Sequence, residues 1–92
     1  MFNNIYKDKK VFITGHTGFK GGWLALWLKV LGAKVMGYSL PPPTEPNFFC
    51  AINLEAIIDH HIIGDIRDRE RLTSIIKDYR PEFVFHLAAQ PL

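Results

Sequence analysis

Ninety-two residues, 48% of them hydrophobic, suffice for one small core and not for a large enzyme domain. The formal charge of +2 is scattered, with Lys7, Lys9 and Lys10 as the one local cluster, so no basic face argues for a nucleic-acid partner. A single cysteine, Cys50, excludes an internal disulfide and fits a reducing compartment, read here as the cytoplasm; the N-terminus reads as lacking an export signal, and no apolar run reaches the roughly twenty residues of a membrane span.

The run Lys10-Val11-Phe12-Ile13-Thr14 predicts a first strand. Three glycines follow at three-residue spacing, Gly15, Gly18 and Gly21, and lead into a predicted helix from Lys20 to Leu31. Trp23, Leu24, Leu26, Trp27, Leu28, Val30 and Leu31 leave that helix almost no polar stripe, so the pattern predicts an internal helix covered on most sides. Gly32 stops it, and Lys34 to Tyr38 reads as a second strand. From Ser39 to Asn47 four prolines impose a loop. Phe48, Phe49, Ile52 and Leu54 suit a short helical turn, and His61 to Gly64 a brief third strand. Asp68 is placed to cap a helix whose Leu72, Ile75, Ile76 and Tyr79 share one face, with Pro81 just past its end. Phe83 to Leu87 then predicts a strand buried on both faces.

Strands alternating with helices predict an α/β fold: the N-terminal part of a doubly wound, parallel-sheet Rossmann domain, with four strands in spatial order 3-2-1-4. Its switch point falls between the first and fourth strands. Ligands bind at the carboxyl ends of strands beside such a point, where the glycine turn and Ala88-Ala89-Gln90 both lie.

The turn from Gly15 to Gly21 carries one residue more between its first two glycines than G-x-G-x-x-G, and no Lys-Ser or Lys-Thr pair makes it a P-loop. Backbone N–H groups at such a turn, with the helix dipole behind them, suit a pyrophosphate, and Lys20 adds a cation; the plainer reading is a tight turn alone. Asp65 can accept a hydrogen bond from an adenine amine while Ile66 packs on the ring, or Asp65 can be a turn residue. Ser39 stands where a carboxylate would normally meet the adenosine ribose, and by itself does not separate NAD from NADP. His60 and His61, adjacent on a strand, point to opposite faces and do not form a metal pair. His86 reads as a core histidine satisfied by one hydrogen bond. Tyr6 and Lys10 match Tyr-x-x-x-Lys by spacing but precede the first strand, at the wrong end of the sheet.

The strings Thr14-Gly15-His16-Thr17-Gly18-Phe19-Lys20-Gly21, Gly64-Asp65-Ile66-Arg67-Asp68 and His86-Leu87-Ala88-Ala89-Gln90-Pro91-Leu92 together resemble the extended short-chain dehydrogenase/reductase superfamily. Within it the chain is most similar to the dehydratase branch that acts on CDP-glucose. Gly22 departs from the serine expected there. The resemblance implies an NAD-dependent lyase acting on a nucleotide-sugar substrate, with room for a homo-oligomeric full-length form. Gly15, Thr17, Gly18, Phe19, Lys20 and Gly21 would then hold the pyrophosphate, Ser39 the ribose, Asp65 and Ile66 the adenine, and Leu87, Ala88, Ala89 and Gln90 the middle of the cofactor. It also implies that residues 1–92 are an incomplete NAD-binding domain, with the catalytic groups and the substrate domain downstream. A related epimerase or reductase, and a non-catalytic nucleotide-binding module, are the alternatives.

Overall fold

The computed structural model describes residues 5–41 and 48–88. Four strands, β1 (Lys10–Thr14), β2 (Lys34–Ser39), β3 (His60–Ile63) and β4 (Phe83–His86), form one parallel sheet in the order β3-β2-β1-β4, as the sequence predicts. The apolar runs Val11–Thr14 and Val35–Ser39 are buried because both central strands have a partner on each side and a layer on each face. Register places Thr14 beside Tyr38 and His86, and Ser39 beside Ile63, so the strands end together on one rim.

Helix α1 (Phe19–Val30) covers one face, where Ala25 and Leu28 pack with Val11, Ile13, Ala33 and Val35. The predicted turn beyond the proline loop resolves into two short helices, α2 (Phe48–Ala51) and α3 (Leu54–Ile57), which add Phe49 and Leu54 to the same core. Helix α4 (Arg69–Tyr79) covers the opposite face, bringing Leu72, Ile75, Ile76 and Tyr79 onto Phe12, Met36 and Tyr38.

Two burial expectations are corrected. The outer side of α1 is exposed, with Phe19 68%, Trp23 48%, Trp27 55% and Val30 78% accessible. Its inner side begins with the small residues Gly21, Gly22 and Ala25 and ends with Leu28, so the N-terminal part of the helix sits close to the sheet, while Trp23, Trp27 and Val30 project outward. Strand β4 is half-covered rather than buried on both faces. It is an edge strand: Phe83 and Phe85 pack toward α1's core, while Val84 extends beyond the cover that α4 gives its register partner Phe12 and is 56% exposed.

Asp68 caps α4 as expected, its Oδ1 accepting the Arg71 N–H at 3.2 Å, and Arg80 closes the helix in the left-handed region at φ 54°. Asp68→Ala should lower stability by about 1 kcal/mol, read as a shift in the urea midpoint without a change of slope.

Candidate functional site

The rim is organised by the glycine turn. As the chain leaves β1, Gly15 adopts φ +87° and its N–H donates to the Tyr38 carbonyl at 3.1 Å; the Gly18 N–H then donates to the Gly15 carbonyl at 3.2 Å. A Cβ on Gly15 would lie 2.7 Å from the Ala88 nitrogen, and one on Gly21 would meet the Gly15 carbonyl. Chain packing therefore demands glycine at both positions. Gly18 differs: its φ is −80°, and a Cβ there would meet only the Gly15 carbonyl oxygen at 3.5 Å, an ordinary contact. The chain leaves open space beside Gly18, at the positive end of α1, whose first turn holds no acidic residue. That space and charge fit a pyrophosphate. Phe19 and Lys20 are exposed at the same end.

Three neighbouring segments converge here. Thr17, buried, donates its hydroxyl to the Leu40 carbonyl at 2.9 Å, and its oxygen lies 2.8 Å from Ser39 Oγ. Thr17 has one proton and gives it to Leu40, so Ser39 donates to Thr17 and keeps only its lone pairs for a ligand. At the end of β4 the Leu87 N–H donates to the Thr14 carbonyl at 3.0 Å and the Ala88 N–H to Thr14 Oγ1 at 3.3 Å, which holds this segment against the turn. Ala89 and Gln90 lie outside the described residues. Beyond β3, the Gly64 N–H donates to the Ser39 carbonyl at 2.9 Å, and Tyr38 donates its hydroxyl to the Asp65 carbonyl at 2.9 Å.

The Asp65 side chain is engaged by Arg67. Oδ1 accepts the Arg67 backbone N–H at 2.9 Å, Oδ2 accepts the Nη2 proton at 2.6 Å, and these bonds, the side-chain one foremost, hold the carboxyl below the usual range. The Arg67 Nε–H also reaches both oxygens, at 3.0 Å each, so the turn role is realised and Arg67 engages both carboxylate oxygens twice, leaving an amine to compete with it. Ile66 is half-buried against the α4 core.

A family model described as the NAD dependent epimerase/dehydratase family matches residues 11–92. The chain belongs to that family. CDP-glucose 4,6-dehydratase of Salmonella typhimurium (strain LT2) is 54% identical over 89 residues, which are 97% of this chain and 24% of that protein. Among solved structures, the epimerase Mth375 of Methanothermobacter thermautotrophicus is 32% identical with a TM-score of 0.67, covering 95% of this chain and 24% of its own. The UDP-glucose 4-epimerase of Brucella ovis, solved in complex with NAD, is 26% identical with a TM-score of 0.70, covering 91% and 24%. The chain thus spans about a quarter of each of these relatives.

Other candidates fall where the sequence reading put them, with two exceptions. Tyr6 packs on Phe83 at 4.9 Å and Lys10 lies over the Tyr79 ring, both at the opposite rim. His86 makes its single hydrogen bond, Nδ1 to Thr14 Oγ1 at 2.7 Å, but it is exposed on an edge strand rather than in the core. His60 and His61 do point apart, His60 toward Tyr79; His61, however, meets His16, a residue the motif reading passed over. His16 is fully buried, its Nε2 lies 2.7 Å from His61 Nδ1, and burial, then the neighbouring His61, pushes its pKa down to about 4. The available signal was Gly37: a glycine inside a predicted strand marks a close approach, and here a Cβ would strike the His16 ring.

Proposed function

We propose that residues 1–92 are the N-terminal, cofactor-binding part of an NAD-dependent CDP-glucose 4,6-dehydratase, acting in the cytoplasm on a nucleotide-sugar substrate. One observation carries the cofactor half of this reading: the space beside Gly18, which the chain's own packing does not require and an approaching pyrophosphate does. The dehydratase half rests on 54% identity across 97% of the chain, against 26–32% for the epimerases cited above. In this reading the amides from Gly15 to Gly21 hold the two phosphates, with Thr17 shaping the turn and Phe19 and Lys20 at its mouth. Asp65 and Ile66 take the adenine, and Leu87, Ala88, Ala89 and Gln90 line the middle of the cofactor. Ser39, left as an acceptor, suits a ribose hydroxyl, which donates; a 2′-phosphate offers only acceptors, which favours NAD over NADP. Bound NAD would supply hydride chemistry, accepting from the sugar's 4-position and returning to the 6-position after water leaves.

Calorimetric titration tests the cofactor claim. Gly18→Val should weaken NAD binding by about a hundredfold or more while leaving the unfolding midpoint within about 1 kcal/mol of the parent. Equal binding by both proteins would overturn it. For the activity, the full-length protein given CDP-glucose deuterated at the 4-position should deliver the deuterium to the 6-position of the product; a product that has lost it to solvent would count against this reaction.

A further inference from the structure

His16 and His61 meet beneath the glycine turn although 45 positions separate them. The meeting is prepared by register: Gly37 pairs with His61 between β2 and β3, and its missing side chain leaves the volume that the His16 ring fills. Phe49 of α2 closes the arrangement, 5.5 Å edge-on from His16 and 4.8 Å from His61. The turn residue between Gly15 and Thr17 is thereby tied to the third strand by a side chain, not by the backbone alone.

Two observations fix the direction of the bond. His16 Nδ1 is buried with no hydrogen-bond partner, so a proton there would be an orphaned donor, which folded proteins tolerate poorly. On the far side, His61 Nε2 faces Glu55 Oε1 at 3.9 Å, where a protonated nitrogen is favoured over a bare lone pair. Both place His16 as the Nε2–H donor and His61 as the Nδ1 acceptor, with the His61 Nε2–H turned toward Glu55. The 2.7 Å N···N separation accommodates a proton between the rings; two nitrogens on one zinc, each about 2 Å from it, would stand farther apart.

We propose that His16 and His61 form a hydrogen-bonded clamp that positions the glycine turn, His61 serving as the acceptor, so that tight NAD binding depends on an acceptor at position 61. This deepens the NAD reading given above and rests on it. Removing the acceptor at position 61 orphans the Nε2 proton of His16: the ring must swing away, or it must shift its proton onto the enclosed Nδ1. Either response strains the segment from Gly15 to Thr17. The charged and titratable groups facing the pair are few among the described residues. They are His61 for His16 and Glu55 of α3 for His61; β2 contributes Gly37 and α2 contributes Phe49, neither of which titrates.

The test uses two substitutions and two readouts on the full chain. Asparagine at 61 offers an oxygen near the position of Nδ1 but does not titrate; leucine offers no acceptor. By calorimetry at about pH 7.5, His61→Asn should bind NAD about as well as the parent and His61→Leu about tenfold more weakly, the penalty of one orphaned donor. Equal binding by the parent and His61→Leu overturns the proposal; should His61→Leu not fold, the proton positions in the parent decide. Imidazole ¹⁵N spectra without NAD give an independent reading: protons on Nε2 of both rings are expected, and a proton on Nδ1 of His16 would overturn the clamp. If the parent itself takes up no NAD, the cofactor reading fails on its own. The clamp is then judged by the amide resonances of residues 15–21 in His61→Leu, where displacement supports it and unchanged positions refute it.

Discussion

Replacing Gly21 by alanine is expected to destabilise the chain by about 3 kcal/mol or more, a large part of what a domain of this size holds in reserve. The added Cβ would meet the Gly15 carbonyl group and come within 3.0 Å of the His16 Cα. These are backbone atoms, so no rotamer change relieves the contact; α1 must lift from the sheet or the turn must open. Lifting α1 would uncover Ala25 and Leu28 from Val11, Ile13 and Val35. Urea unfolding followed by circular dichroism measures the loss directly. The contrast with Gly18→Val makes the result specific: of two glycines in one motif, the fold requires Gly21 and leaves room for a side chain at Gly18. A Gly21→Ala protein as stable as the parent would mean that α1 does not rest on the turn as described.

Acid should weaken the fold well before the carboxylates titrate. His16 has a folded pKa of about 4 against an unfolded value of 6.5, because burial, and then His61, disfavours its charged form. Below pH 6.5 the unfolded chain takes up a proton that the folded chain refuses. The stabilisation is therefore complete above the unfolded value, declines as the pH falls toward 4, and declines no further below that on account of this group. A shift of this size amounts to about 3 kcal/mol across the window. Urea midpoints at about pH 7.5 and about pH 4.5 should show it, and His16→Gln, which keeps a donor but does not titrate, should show a much smaller change. A parent protein with the same stability at both values would contradict the enclosed, neutral ring.

The strand order could be read from the sequence because strands alternate with helices, which implies right-handed crossovers in a parallel sheet, and because glycines and the proline-rich loop mark where the elements end. The same punctuation located the turn, Ser39 and the segment after β4 on one rim. What escaped the reading depended on facts that periodicity does not carry. Trp23 and Trp27 are apolar, yet the buried residues of α1 are Gly21, Gly22, Ala25 and Leu28, so hydrophobicity alone did not separate the inner from the outer side of the helix. Val84 belongs to an apolar run whose cover depends on what lies beside an edge strand. His16 and His61 come together only through the pairing of β2 with β3, and nothing local to either residue announces the other.

The small-residue face of α1 has a thermodynamic consequence for ligand capture. A helix that meets the turn through Gly21 freezes no rotamer at that point of contact. On the NAD reading proposed above, the disorder that the pyrophosphate would otherwise have to overcome is removed when the polypeptide folds, so the receptor would arrive at the encounter already shaped.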